Sequence, residues 1–275
     1  MAHPQIATFA RLAKGGAAPK RIIAGQATKL SRTMHDIRYD PVNDEFIVTN
    51  PFAQAILVFR GGATGNEAPI RIIQGPKTLL RGPDRLEVDW VNNEIIIPNG
   101  GSILVFPRTA NGDVAPLRVI RGADTQLRSA TTAAVDAVNN LLVVGLNQSS
   151  RPTDPPGALL IFNRTDNGNV KPRGIIRGPK SGIVRITQMA VNPQKKWIVA
   201  TQPGDIEDME PENAFVGIWS MDDNGDIPPR WKLVTGPKST LKKPRGVVLD
   251  AKNKEMIIAD MRLNAVLTYY FPEIF

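Results

Sequence analysis

The stretch 111–122, NGDVAPLRVIRG, returns in altered form as NGNVKPRGIIRG at 167–178 and more loosely as TGNEAPIRIIQG at 64–75. A dozen residues written several times are either a ligand motif repeated for avidity or a structural unit that the fold needs once per module. The turn glycine serves as a ruler: Gly15, Gly65, Gly112, Gly168 and Gly225 are each followed four residues later by Pro19, Pro69, Pro116, Pro172 and Pro229. Six residues before each glycine stands an aromatic, Phe9, Phe59, Phe106, Phe162 or Trp219. The period is about 50 residues, a length characteristic of repeat architectures.

Each unit reads as four strands. An apolar run ending in the aromatic (AILVF, SILVF, ALLIF, FVGIW) leads through a Gly-containing turn to a second apolar run (PIRII, PLRVI, PRGII, RWKLV), and Asn-Gly there is a hairpin signal. A second pair follows a Gly-led loop, as in LEVDWVNNEIIIPN at 86–99 and VVLDAKNKEMIIAD at 247–260. In all five copies an Asp or Asn follows the first strand of this pair: Asp40, Asp89, Asp136, Asn192 and Asp250. Its side chain can close an Asx-turn on its own backbone, so these acids are read as turn residues rather than catalytic ones.

Four antiparallel strands per unit, repeated, are the blade pattern of an all-β propeller, with 1–275 as a single domain whose terminal segments meet at ring closure. The repeat resembles the NHL-type propeller repeat, best at PRGVVLDAKNKEMIIAD (244–260), and the chain is most similar to bacterial NHL-like proteins built from ILVFPRTANGDVAPLRVI-type units. Five full repeats are present with one extra third strand, because AVLTYY (265–270) repeats the phase already present at IATFA (6–10). The six-bladed ring usual for NHL-like propellers is preferred on that resemblance. The alternative is a five-bladed ring in which residues 19–23 complete the last blade.

Composition sets the outer bounds. With 275 residues, 42% hydrophobic and 22% charged, the chain can bury a sizeable core, and Gly 23 with Pro 23 fits many tight connections. The absence of cysteine excludes disulfides, thiolate metal sites and cysteine nucleophiles. No window approaches 18 apolar residues, so the reading is a soluble chain without a membrane span, secreted or periplasmic if an upstream leader has been removed. A net charge of +8 favours acidic partners.

Phase-equivalent positions locate the candidate site. Five residues before each turn acid stand His35, Asp84, Thr131, Thr187 and Arg245, expected to ring the channel mouth; at the ends of the next strands stand Asn50, Asn99, Asn147, Gln202 and Asp260, expected on the same face. Phase also pairs Asp36 with Arg85 and Arg38 with Glu87 between neighbouring blades, because half-buried charges require partners. The connections entering the inner strands supply a candidate polyanion patch: Lys77, Arg81, Arg121, Arg128, Arg177, Lys180, Arg185, Lys238, Lys242 and Lys243. An acidic insert, PGDIEDMEPENA (203–214), counters it with Asp205, Glu207, Asp208, Glu210 and Glu212.

The function read from this pattern is a non-enzymatic scaffold that presents the channel-mouth face to a protein, peptide, glycan or other polyanion. Nucleic acid is admitted by charge, yet the basic connections lack interleaved aromatics for base stacking. The alternative is a metal-dependent lactonase or esterase-like hydrolase, or a lyase, with its site in the channel, by likeness to gluconolactonase-like and streptogramin-lyase propellers. Asp84, Asp260, Asn50 and Asn99 would then be oxygen ligands to a divalent cation and His35 the general base. There is no G-x-S-x-G, H-E-x-x-H or Walker-type motif, and no cofactor is otherwise implied.

Overall fold

The computed structural model describes residues 4–32, 34–148, 155–204, 208–236 and 239–275. In chain order, β1 (Gln5–Thr8) and β2 (Arg21–Ala24) pair as a two-stranded sheet. The first four-stranded sheet is β3 (Ile37–Asp40), β4 (Glu45–Asn50), β5 (Ala55–Arg60) and β6 (Arg71–Ile73). The second is β7 (Glu87–Asp89), β8 (Glu94–Pro98), β9 (Ser102–Pro107) and β10 (Arg118–Arg121). The third comprises β11 (Ala130–Asp136), β12 (Leu141–Leu146), β13 (Ala158–Asn163) and β14 (Gly174–Ile176); the fourth, β15 (Gln188–Asn192), β16 (Trp197–Gln202), β17 (Phe215–Ser220) and β18 (Trp231–Val234). A three-stranded sheet of β19 (Pro244–Asp250), β20 (Glu255–Asp260) and β21 (Ala265–Tyr270) ends the series.

Within each sheet sequential strands are neighbours, which is the meander of a blade. Five sheets carry an inner pair, so the described residues form five blades and not the six preferred from the family resemblance. The way in which the five-bladed alternative was to be completed also differs. Residues 21–24 pair with β1, Ile6 opposite Ile23, and the C-terminal sheet has three strands.

The chain divides into two compact units, Met1–Asn99 with Leu104–Leu117, and Gly100–Ile103 with Arg118–Phe275. In the first, β4 is buried along its whole length and β5 along all but its last residue, which is why 46–48 and 55–59 read as unbroken apolar runs rather than as an alternation. Phe46 and Phe59 face each other across these strands with ring centroids 5.1 Å apart, packed with Val48, Leu57 and Ile23. In the second unit Ile198 lies opposite Trp219, and Val143, Ile161, Met189 and Phe215 fill the same core. A further cluster packs Trp231 edge-on between Trp197 and Phe271, and Asn192 Nδ2 pins the C-terminal turn through the Ile274 carbonyl at 2.7 Å.

The repeated dozen residues prove to be a clip between blades. Asn111-Gly112 does not form a two-residue hairpin: β9 ends at Pro107, β10 begins at Arg118, and Gly112 instead bridges in parallel to Ile73 on the outer strand of the preceding blade. Gly112 N–H donates to the Ile72 carbonyl at 2.6 Å, and Asn111 Oδ1 accepts from the Ile72 N–H at 3.0 Å. Asp113 Oδ1 then accepts the Lys77 N–H at 2.7 Å, capping the 3-10 turn Pro76–Thr78. This approach is close enough to require Gly75, at φ 133°, because a Cβ there would lie 2.4 Å from the Asp113 carboxyl. In the second unit Asn167, Gly168 and Asn169 repeat the contacts on Val119, Ile120 and Asp124. Asn224, Gly225 and Asp226 do so on Ile175, Ile176 and Ser181.

Candidate functional site

All five turn acids act on their own backbone. Asp40, Asp89, Asp136 and Asp250 each accept backbone N–H groups two or three residues on and clasp the Asn side chain three residues on, while Asn192 accepts from the Gln194 and Lys195 N–H groups. None of this chemistry is free for a substrate.

The polar residues at the strand ends are staples. In the first unit the connection before β3 contains a left-handed residue, Lys29, whose carbonyl accepts from Asn50 Nδ2 at 3.1 Å, while Ser31 donates to Asn50 Oδ1 at 2.8 Å. Asn99 repeats this on the next connection, donating to the Leu79 carbonyl at 3.2 Å and accepting from the Arg81 N–H at 2.8 Å. In the second unit Gln202 donates to the Gly182 and Asn213 carbonyls and accepts from the Val184 N–H at 2.7 Å. Asp260 takes the Lys242 and Lys243 N–H groups at 2.7 and 2.9 Å. Asn147 accepts from the Ile186 N–H at 3.1 Å. Tight connections leave backbone groups that the ladder cannot satisfy, and these side chains satisfy them.

The other five positions stitch neighbouring blades. In the first unit His35 Nδ1 pairs with Asp84 Oδ1, both side chains half-exposed at 48% and 40%. In the second, the Thr131 hydroxyl donates to the Ile186 carbonyl at 3.1 Å and that of Thr187 to the Arg245 carbonyl at 2.9 Å. The Arg245 guanidinium meets Met261 Sδ. The Arg38–Glu87 ion pair forms, Nε to Oε1 at 3.5 Å, and Arg38 also reaches Asp36 Oδ1 at 3.1 Å. Burial pulls the Arg38 pKa down, but Asp36 and Glu87 outweigh it and the net shift is upward. Burial pushes the Glu87 carboxyl up against the pull of Arg38. Arg85 donates to the His35 carbonyl, and Asp36 Oδ2 accepts the Leu86 N–H at 3.1 Å. The oxygens named as metal ligands, on Asp84, Asp260, Asn50 and Asn99, are thus engaged in these contacts. Among the described residues no three His, Cys, Asp or Glu side chains stand close enough to hold a metal ion.

The cations divide sharply. Lys77 and Arg81 in the first unit, and Arg121 and Lys180 in the second, are exposed and have no ion-pair partner among the described residues. Arg128 donates to the Pro155 carbonyl at 3.2 Å, and Arg177 donates to Gln126 Oε1 at 3.1 Å. Arg185 is half-buried beside the loop that Gln202 holds. By contrast Lys243 is 1% exposed, with Nζ on the Asp208 carbonyl, and Lys242 Nζ meets Glu210 Oε2 at 3.1 Å. Two members of the expected patch thus have partners on the acidic insert, Lys243 buried and Lys242 partly exposed. Lys238, Asp205 and Glu207 lie outside the described residues. Sequence reasoning missed Gln126, a left-handed residue of the 3-10 turn Ala123–Thr125, because nothing local shows that Arg177 arrives beside it.

Among solved structures the chain is similar to one chain of a structure titled "Crystal Structure of Mitotic Checkpoint Complex", with a TM-score of 0.57 over 88% of this chain at 13% identity. The fold is a β-propeller. At that identity the likeness concerns the propeller fold alone, and the present chain spans 62% of the matched chain's length. No family model matches, and no curated protein is similar in sequence.

Proposed function

We propose that this propeller is a non-enzymatic scaffold that binds an acidic protein segment through the connections entering its inner strands. The observation that carries the reading is the unpaired, exposed state of Arg121 and Lys180 in the second unit among the described residues, matched in the first unit by Lys77 and Arg81, whereas the polar positions at the strand ends are engaged in structural contacts. Cations left in water and free of partners can exchange counterions for a polyanion at little desolvation penalty. A protein segment is favoured over single-stranded nucleic acid because these connections offer cationic and small side chains but no aromatic platform. That the similar solved chain belongs to a protein complex is consistent with a partner of this class.

The test is fluorescence anisotropy of a glutamate-rich peptide at low salt with the full chain and with an Arg121→Glu, Lys180→Glu double variant. Each reversal at a rim position is expected to weaken binding, together by roughly tenfold. Equal affinity for both proteins would place the acidic partner elsewhere.

A further inference from the structure

Arg177 stands out among the cations of the connections as half-buried with two of its three guanidinium nitrogens unsatisfied among the described residues. Its Nε and Nη2 are buried without a hydrogen-bond partner among the described residues, and its Nη1 rests on the side-chain oxygen of Gln126, in an exposed turn. Arg128, two residues beyond Gln126, acts on it through its charge, and among the described residues the Arg128 guanidinium donates to the Pro155 carbonyl at 3.2 Å. Burial, and then Arg128, pull the Arg177 pKa down. A guanidinium cannot discharge near neutral pH, so both groups stay positive and repel each other, with donors of Arg177 unfilled. Such an arrangement is unfavourable in the free protein, and a fold under no further demand would replace Arg177 by an apolar residue of similar length.

We propose that Arg177 and Arg128, gated by the Gln126 side chain, form a site for a dianionic tetrahedral oxyanion, a phosphoryl or sulfuryl group. Two planar forks carrying +2 match a group with several acceptor oxygens and a charge of about −2. Gln126 is the movable part, since turning its amide outward exposes the Arg177 fork to the incoming oxygens. The proposal rests on the scaffold reading above and deepens it by naming one group that the acidic segment presents.

Thermal melting of the full chain in sodium chloride and in sodium phosphate at equal ionic strength tests it, with wild type, Arg177→Met and Arg177→Lys measured side by side. Phosphate stabilises proteins generally by exclusion, so the readout is the phosphate increment of the wild type minus that of Arg177→Met. At ten times the dissociation constant this difference is expected to be about 3 °C. Arg177→Met is expected to melt above wild type in chloride, and Arg177→Lys, which keeps the charge but loses the fork, to lose most of the increment. A phosphoserine peptide and its serine counterpart supply the second arm. An increment from inorganic phosphate, or from the phosphoserine peptide alone, supports the site and assigns the source as free or esterified. Equal increments in wild type and Arg177→Met with both probes, or a lower melting temperature of Arg177→Met in chloride, overturn it. Should the glutamate-rich peptide still bind in that event, the scaffold reading stands while this site falls.

Discussion

The connection leading to β15 carries Arg177 just before Gly178, and the connection leading to β19 carries Lys242 and Lys243 in the same compact unit. Both follow the outer strand of one blade and enter the inner strand of the next. In the second, Asp208 and Glu210 of the acidic insert fold onto the lysines, and Glu210 also reaches Arg262 Nε at 3.3 Å. In the first, Arg177 finds an amide oxygen and a second arginine. The difference teaches that positive charge on these connections is not one property. Where the insert supplies acceptors, a backbone carbonyl for Lys243 and a carboxylate for Lys242, the cations serve the fold, and where it does not they remain available to an outside anion.

The largest expected effect comes from a third cluster, in the first unit, where a carboxylate meets two guanidinium groups directly. Glu45 accepts Arg71 through both oxygens at 2.9 and 2.6 Å and Arg108 Nη1 at 2.7 Å. Burial pushes the Glu45 carboxyl up, but the two arginines outweigh it and hold its pKa below the ordinary 4.5. Glu45→Gln leaves Arg71 without its carboxylate and Arg108 with only Asp40 at 3.8 Å, and should destabilise the protein by about 3 kcal/mol at pH 7, read by urea unfolding. Because the folded-state pKa is depressed, this contribution is present above the ordinary carboxylate value and is lost as pH falls through the folded one. The gap between wild type and Glu45→Gln should therefore narrow as pH falls below the ordinary 4.5 and close once the depressed folded-state value is passed. A gap independent of pH would mean that the cluster acts by packing and not by charge.

Lys243→Ala should cost about 2 kcal/mol, from a buried cavity and an Asp208 carbonyl left without its donor. An effect of the opposite sign from that of Arg177→Met is the sharpest mutational contrast between the two connections, and matching signs would erase it. The smallest stability effect belongs to Glu210→Gln, whose partners are exposed; it should change stability by less than about 0.5 kcal/mol. The same substitution uncovers Lys242 and Arg262, so the affinity for a glutamate-rich peptide should rise roughly threefold at low salt. No gain would show that the insert does not shield this connection.

Much of the fold was legible because its signals are local. Asp40, Asp89 and Asp136 announce their turns within three residues, and the aromatic-to-glycine spacing fixes the repeat. Asn111 was misread because its partner, Ile72, lies 39 residues earlier, and a hairpin signal is indistinguishable from an interblade clip without it. The blade count failed at the surplus third strand. The phase of residues 6–10 equals that of 265–270, and only the pairing of β1 with β2 shows which sheet each joins. Among the site residues, Asn50, Asn99, Gln202 and Asp260 were recognisable as a series but not as staples for the preceding connections, since the backbone groups they satisfy there lie 17 to 21 residues earlier. Arg177 and Lys243 look alike in sequence, and what separates them is which loop folds over each.

A salt titration of glutamate-rich peptide binding to the full chain tests the central claim most directly. If the unpaired cations of the connections hold the peptide, the association constant should fall linearly with salt on a logarithmic scale, by at least tenfold between 50 and 200 mM, and the slope should be shallower for the Arg121→Glu, Lys180→Glu variant, which lacks two of the cations that release counterions. No binding at 50 mM salt, or an affinity that ignores salt, would contradict it.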